Sequence, residues 1–221
     1  MTLTLYTYDW LPEFPRGFVR DLRVRWLCEE IGRPYQVATV PVSPKSETHR
    51  QMQPFAQVPI IKDGDLTLFE SGAILLHLAE GTAMMPEDRR PQVTQWVIAA
   101  LNSVEPALSE WMRNTLAASE PKIFGPPASP ELAAHLEKSM AGPLDAMEGR
   151  MQRREWLDGD FSVADLLMVD VMRPAAAEGA LANHPALTAF IDRATKRPAF
   201  QQAMSDHMAH WTNADALRKT A

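Results

Sequence analysis

Glu70 and Ser71 stand where a short strand-like run, Leu66 to Phe69, gives way to a helical pattern. A helix N-terminus presents N–H groups without intrahelical partners and carries a partial positive charge. A serine there can help those N–H groups hold a carboxylate, and the adjacent glutamate can pair with an ammonium group. Serine is also a common helix N-cap, and the two roles can coexist. His207 and His210, spaced i, i+3, could chelate a metal on a helix. No further Cys, His or acidic cluster converges on them, so a solvated helix face and no metal site are expected. Cys28 falls on the same apolar stripe as Val24, Leu27 and Ile31, which predicts a buried thiol rather than a nucleophile. Ser162-Val-Ala-Asp165 opens an apolar run as a capping box with Asp in place of Glu, so Asp165 reads as a buried structural cap.

The elements that must position these groups differ between the two ends of the chain. Leu3 to Tyr8 reads as a strand, a loop with Pro12, Pro15 and Gly17 follows, and a helix then runs to Gly32, a C′ glycine. Tyr35 to Val40 reads as a second strand. Val58–Ile61 and Leu66–Phe69 flank Lys62-Asp63-Gly64-Asp65, a hairpin signal. Ser71 to Glu80 closes as a helix. The order βαβ–ββα implies a parallel pair with a crossover and an antiparallel edge. This fits a thioredoxin-like α/β domain over 1–81. A linker over 82–90 contains Pro86, and an all-α domain over 91–221 follows.

The chain has 221 residues, 46% of them apolar and 23% charged, with one cysteine. That length builds a core without staples, and a single cysteine forms no internal bridge. A net charge of −6 argues against sequence-independent nucleic-acid binding, although Arg16, Arg20, Arg23 and Arg25 form a local basic patch. No window approaches the roughly 18 apolar residues of a membrane span, and the first residues lack a basic n-region. The expectation is a cytoplasmic protein with no membrane partner.

Gln57-Val-Pro-Ile-Ile61, Asp63-Gly64 and Leu68-Phe-Glu-Ser-Gly-Ala-Ile74 together resemble the glutathione transferase superfamily. So do Arg23-Val-Arg-Trp26 with Glu29-Glu-Ile-Gly32, Gln53-Pro54, Trp156 to Asp165, and Ala194 to Phe200. The matches span nearly the whole chain in order. The resemblance is to a bacterial-type member with an unusually long loop after the first strand. It implies a thioredoxin-like domain that binds glutathione as co-substrate, a helical domain that supplies most of the second-substrate pocket, a homodimer, and a role in detoxification.

On that resemblance Ser71 and nearby N–H groups hold the γ-glutamyl carboxylate, and Glu70 pairs with the ammonium group. Val58-Pro59 is expected to be cis, which turns the Val58 backbone toward the cysteinyl residue of glutathione. Gln57 either reaches the ligand or faces solvent, and Lys45 either binds the glycyl carboxylate or is solvated. The family's usual Ser or Cys falls near Phe18 and Val19, which donate no hydrogen bond. Three candidates for the thiolate partner therefore stay open: Thr7, matched by position; Arg16, by charge beside a helix N-terminus; and Tyr8, the stronger acid on the opposite strand face. Trp10, Trp111 and Met112 are candidates for an apolar second-substrate pocket, the last two also for core. The expected reaction is conjugation of the glutathione thiolate to a small apolar electrophile. A glutathione-dependent isomerase or dehalogenase, or a non-catalytic binding or interaction protein of the same fold, remain the alternatives.

Overall fold

A computed structural model describes residues 2–220. β1 (Leu3–Tyr8) leads through a single 3-10 turn (Arg16–Phe18) into α1 (Asp21–Ile31) and then β2 (Tyr35–Val40). After α2 (Glu47–Met52) come β3 (Ile60–Asp63), β4 (Leu66–Phe69) and α3 (Ser71–Ala79). The four strands form one sheet in the order β2-β1-β3-β4. β1 runs parallel to β2, with Leu3 opposite Tyr35, and antiparallel to β3, with Leu5 opposite Ile61. This is the thioredoxin-like topology expected from the strand and helix patterns.

Two glycines set the joints. Gly32 takes φ +63 and bonds back to the last turn of α1, while Arg33 N–H donates to the Cys28 carbonyl. Only glycine reaches that left-handed conformation at no steric cost. Gly64, at φ +62, turns β3 into β4 so that Asp63 faces Leu66.

The apolar stripe of α1 is buried as expected at Val24, Leu27 and Cys28, but Trp26, Arg23 and Arg25 are buried as well. The cause is a second partner. The last helix, α10 (Pro198–Thr220), packs along α1, with Phe200 edge-on to Trp26 at 4.8 Å and Arg197 paired to Glu30 through two contacts of 2.7 Å. Residues 1–87 and 195–221 thus form one compact unit, and residues 88–194 form a second. The final helix, assigned from sequence to the helical domain, groups with the sheet.

The second unit holds α4 (Arg90–Ala99), a π turn (Ala100–Val104), α5 (Glu105–Ser119), α6 (Pro121–Phe124), α7 (Pro130–Met151), α8 (Val163–Ala177) and α9 (Pro185–Thr195). The π turn ends two residues before Pro106, which has no N–H to return to the carbonyl four residues back. Asp165 is buried at the start of α8 and accepts from Leu157 N–H (2.7 Å), Ser162 N–H (2.9 Å) and the Ser162 hydroxyl (2.8 Å). Glu148 accepts from Ala186 and Leu187 N–H at 3.0 Å, capping α9 from a neighbouring helix. Among the described residues no helix is long and apolar enough to cross a membrane.

Candidate functional site

The hairpin register builds the first part of the site. Ile60 pairs with Phe69, so the residues preceding Ile60 and following Phe69 are brought side by side. These are Val58-Pro59, joined by a cis peptide, and Glu70-Ser71. Glu70 is exposed and sits at φ +70, an uncommon conformation for a residue with a Cβ. Its carbonyl accepts the first α3 bond from Ile74 N–H at 2.9 Å, and no side chain caps the helix. The N–H groups of Ser71, Gly72 and Ala73 therefore stand ahead of the ladder, where an anion can take them.

Ser71 is buried and its hydroxyl accepts from Arg23 Nη1 at 3.0 Å. Arg23, itself buried in α1, thus adds a guanidinium behind the α3 N-terminus. In the sequence Arg23 stands out only as part of a motif and of a basic patch. Its place behind Ser71 depends on a contact 48 residues away and leaves no local signal.

Around Val58 the loop is held from α2. Buried His49 bonds the Gln57 carbonyl through Nε2 at 3.0 Å, and the Gln53 side chain accepts from Gln57 N–H at 3.3 Å. Gln57 is exposed and Val58 half-buried. Lys45, half-buried, donates to the Tyr8 hydroxyl at 3.1 Å, and its Nζ lies 4.5 Å from the centre of the Tyr8 ring. That places a cation and a phenol together on one side of the β1 end.

The three thiolate candidates differ in what they already touch. Thr7 is fully buried on the helix-facing side of β1, and its hydroxyl has no hydrogen-bond partner among the described residues. Tyr8 is engaged by Lys45. Arg16 is buried and bound on two sides. Nε and Nη2 donate to the Leu11 carbonyl at 3.0 and 2.7 Å, while Nη1 and Nη2 grip the Asp215 carboxylate at 2.6 and 2.7 Å. The same hydrogen bonds push the Arg16 guanidinium up and hold Asp215 well below the usual carboxylate range. Helix α1, which opens at Asp21, has no side chain capping its N-terminus.

Trp10 is half-buried, with its indole N–H on Asp215 at 2.7 Å and the Arg218 guanidinium 4.1 Å from its ring centre. Trp111 and Met112 are half-buried on α5 in the other unit. The two C-terminal histidines depart from expectation. His207 is fully buried, with Nε2 2.5 Å from the Arg16 carbonyl and Nδ1 3.4 Å from Asp21. His210 reaches the Tyr8 carbonyl at 2.9 Å. They face loop and strand rather than water, because the partners they meet lie some two hundred residues earlier in the chain. Burial works against the charge of Asp21, but His207 and Arg25 hold its carboxyl down to about 2. Among the described residues no group of three or more His, Cys, Asp or Glu side chains is arranged to hold a metal.

Cys28 is 1% exposed, and burial pushes its thiol up to about 12. The native protein is therefore expected to resist a disulfide reagent at neutral pH and to release one equivalent only on unfolding. Rapid native labelling would contradict the buried assignment.

The family model of the glutathione S-transferase N-terminal domain matches residues 2–80. Glutathione S-transferase F11 of Arabidopsis thaliana is 31% identical over 172 residues, covering 72% of this chain and 79% of its own. A glutathione S-transferase structure from Pseudomonas fluorescens is 25% identical, with a TM-score of 0.74 over 90% of this chain and 97% of that one. A second structure from that species has a TM-score of 0.76 over 92% of each chain. At 22% identity it supports the fold alone, and it carries two bound glutathione molecules. A sheet in the order β2-β1-β3-β4, an open α3 N-terminus at Glu70-Ser71 and relatives of this likeness all lead to one assignment: the chain belongs to the glutathione S-transferase family.

Proposed function

We propose that the protein conjugates the glutathione thiolate to a small apolar electrophile. The reading is carried by one juxtaposition, Val58-Pro59 beside Glu70-Ser71 at the uncapped start of α3. The γ-glutamyl carboxylate lies on the α3 N–H groups and the Ser71 hydroxyl, and Glu70 takes the ammonium. The Val58 backbone pairs with the cysteinyl residue in the manner of an added strand. Lys45, beside Tyr8, takes the glycyl carboxylate. A solved structure of the same fold carries bound glutathione.

For the sulfur we assign Thr7 together with the N-terminus of α1. Of the three candidates, Thr7 has the hydroxyl with no hydrogen-bond partner among the described residues. Helix N-termini lower thiol pKa values by favouring the thiolate. The thiol proton leaves to water and the sulfur keeps the electron pair. A carbon–sulfur bond then forms as the leaving group departs with its own pair, or as an electron-poor double bond takes up a proton. Orientation of the two reactants supplies the remainder of the rate. The assembly proposed is a cytoplasmic homodimer, for which Phe55, 67% exposed in the loop before Gln57, is an apolar group to be covered.

The test is an ultraviolet titration of bound glutathione against pH. Thiolate absorbance should develop well below the pKa of free glutathione. Thr7→Val should cut turnover by about tenfold, the worth of a hydrogen bond to a charged group, while Thr7→Ser retains most of it. Binding without a thiolate signal would replace the enzyme by a glutathione-binding protein.

A further inference from the structure

The loop between β1 and α1 is where this chain lacks the family's usual hydroxyl or thiol, and α10 grips that loop along its length. His210 holds the Tyr8 carbonyl at the loop's start. Asp215 holds the Trp10 indole N–H and the Arg16 guanidinium. The Arg218 guanidinium lies over the Trp10 ring, and that of Arg16 lies 5.9 Å from the Trp211 ring centre. His207 reaches the Arg16 carbonyl at the 3-10 turn that feeds α1, and its other nitrogen faces Asp21, the first residue of that helix.

Arg16 is the centre of this arrangement. It is the group through which the loop folds on itself, by way of the Leu11 carbonyl, and also the group through which the loop is fastened to the last helix. A guanidinium has a planar fork of five donors, which suits it to holding a carbonyl and a carboxylate at once. Asp215 is the acidic side chain hydrogen-bonded to Arg16, and Glu13 adds a weaker attraction by charge. Arg218 and Lys219 follow it on α10, so the carboxylate is set among cations.

We propose that Asp215 is a positioning residue for the thiolate: through Arg16 and Trp10 it fixes the loop 9–20, and so the N-terminus of α1, against the end of β1. This rests on the transferase reading above. The chemistry follows from the geometry. A helix N-terminus stabilises an anion only within its first turn, so a loop free to swing would lose that support. Glutathione binding rests on different residues, Val58, Glu70 and Ser71, and should survive. The chain thereby uses its far C-terminal helix to hold in place the segment that other family members equip with a catalytic side chain.

The experiment compares the unaltered protein with Asp215→Ala and Asp215→Glu. Glutathione affinity is read by calorimetry, the thiolate by its ultraviolet absorbance against pH, and the loop by amide hydrogen exchange over 9–20. In Asp215→Ala the exchange of the loop should speed up and glutathione affinity should stay within about threefold. The thiolate midpoint should rise by about one pH unit, so that turnover near neutral pH falls about tenfold and recovers at alkaline pH. Asp215→Glu should restore most of the shift. An unchanged midpoint and pH profile in Asp215→Ala would overturn the proposal, however much the melting temperature moves. Unchanged loop exchange would also overturn it. Absence of any thiolate in the unaltered protein would sink the transferase reading instead, and the exchange measurement would still decide whether Asp215 holds the loop.

Discussion

Glu70→Gln is expected to weaken glutathione binding at least tenfold, about 1.4 kcal/mol, because an ammonium loses its charged partner while the side chain keeps its shape. Glu70 sits at φ +70, so backbone strain has to be separated from charge. Such strain persists where the surrounding structure over-determines it, and it clusters at ligand sites. Glu70→Gly relieves the strain and removes the carboxylate. It should therefore leave the thermal midpoint equal or higher while losing at least the same affinity. Calorimetry on the two variants distinguishes the roles. Unchanged affinity in Glu70→Gln would reject the ammonium contact.

Asp165→Ala should produce the largest loss of stability. The carboxylate accepts from the Leu157 N–H, the Ser162 N–H and the Ser162 hydroxyl, all buried. Deleting it strands three donors, at roughly 1 kcal/mol or more each, so a total near 3 kcal/mol is expected in denaturant unfolding. Burial pushes the Asp165 carboxyl up to about 6, against the pull of its hydrogen bonds. A carboxyl raised in the folded state binds its proton more tightly there. Its stabilising contribution is full below the unfolded value near 4 and is lost as pH rises through 6. The unaltered protein should accordingly gain stability relative to Asp165→Asn on acidification from pH 7 to 5. A constant difference across that range would show that Asp165 does not titrate there.

What could be read from the sequence was local. The β1 alternation, Gly32, the Asp63-Gly64 turn and the Ser162 to Asp165 cap each act within a few residues, and each appears where expected. Val58-Pro59 and Glu70-Ser71 were legible through resemblance, since a hairpin register joins them over a short span. The thiolate end was not. Thr7 by position, Arg16 by charge and Tyr8 by acidity each had a separate claim in sequence, and their partners differ in the structure: none among the described residues for the Thr7 hydroxyl, Lys45 for Tyr8, Asp215 for Arg16. His207 and His210 looked like a solvated pair because an i, i+3 spacing says nothing about what lies opposite. Their partners, Arg16 and Tyr8, are 191 and 202 residues away.

The membership of α10 in the first unit also bears on how the chain matures. Residues 1–87 leave the ribosome before α10, yet Trp26 packs on Phe200 and Asp21 faces His207. Residues 88–194 are contiguous and can close on themselves as soon as they emerge. Nascent domains generally fold from the N-terminus onward. In this chain residues 88–194 should finish first, with the sheet-bearing unit held open until residues 195–221 have emerged. A fragment stopping at residue 194 should accordingly bind glutathione poorly and engage chaperones. Adding residues 195–221 as a separate peptide should restore binding.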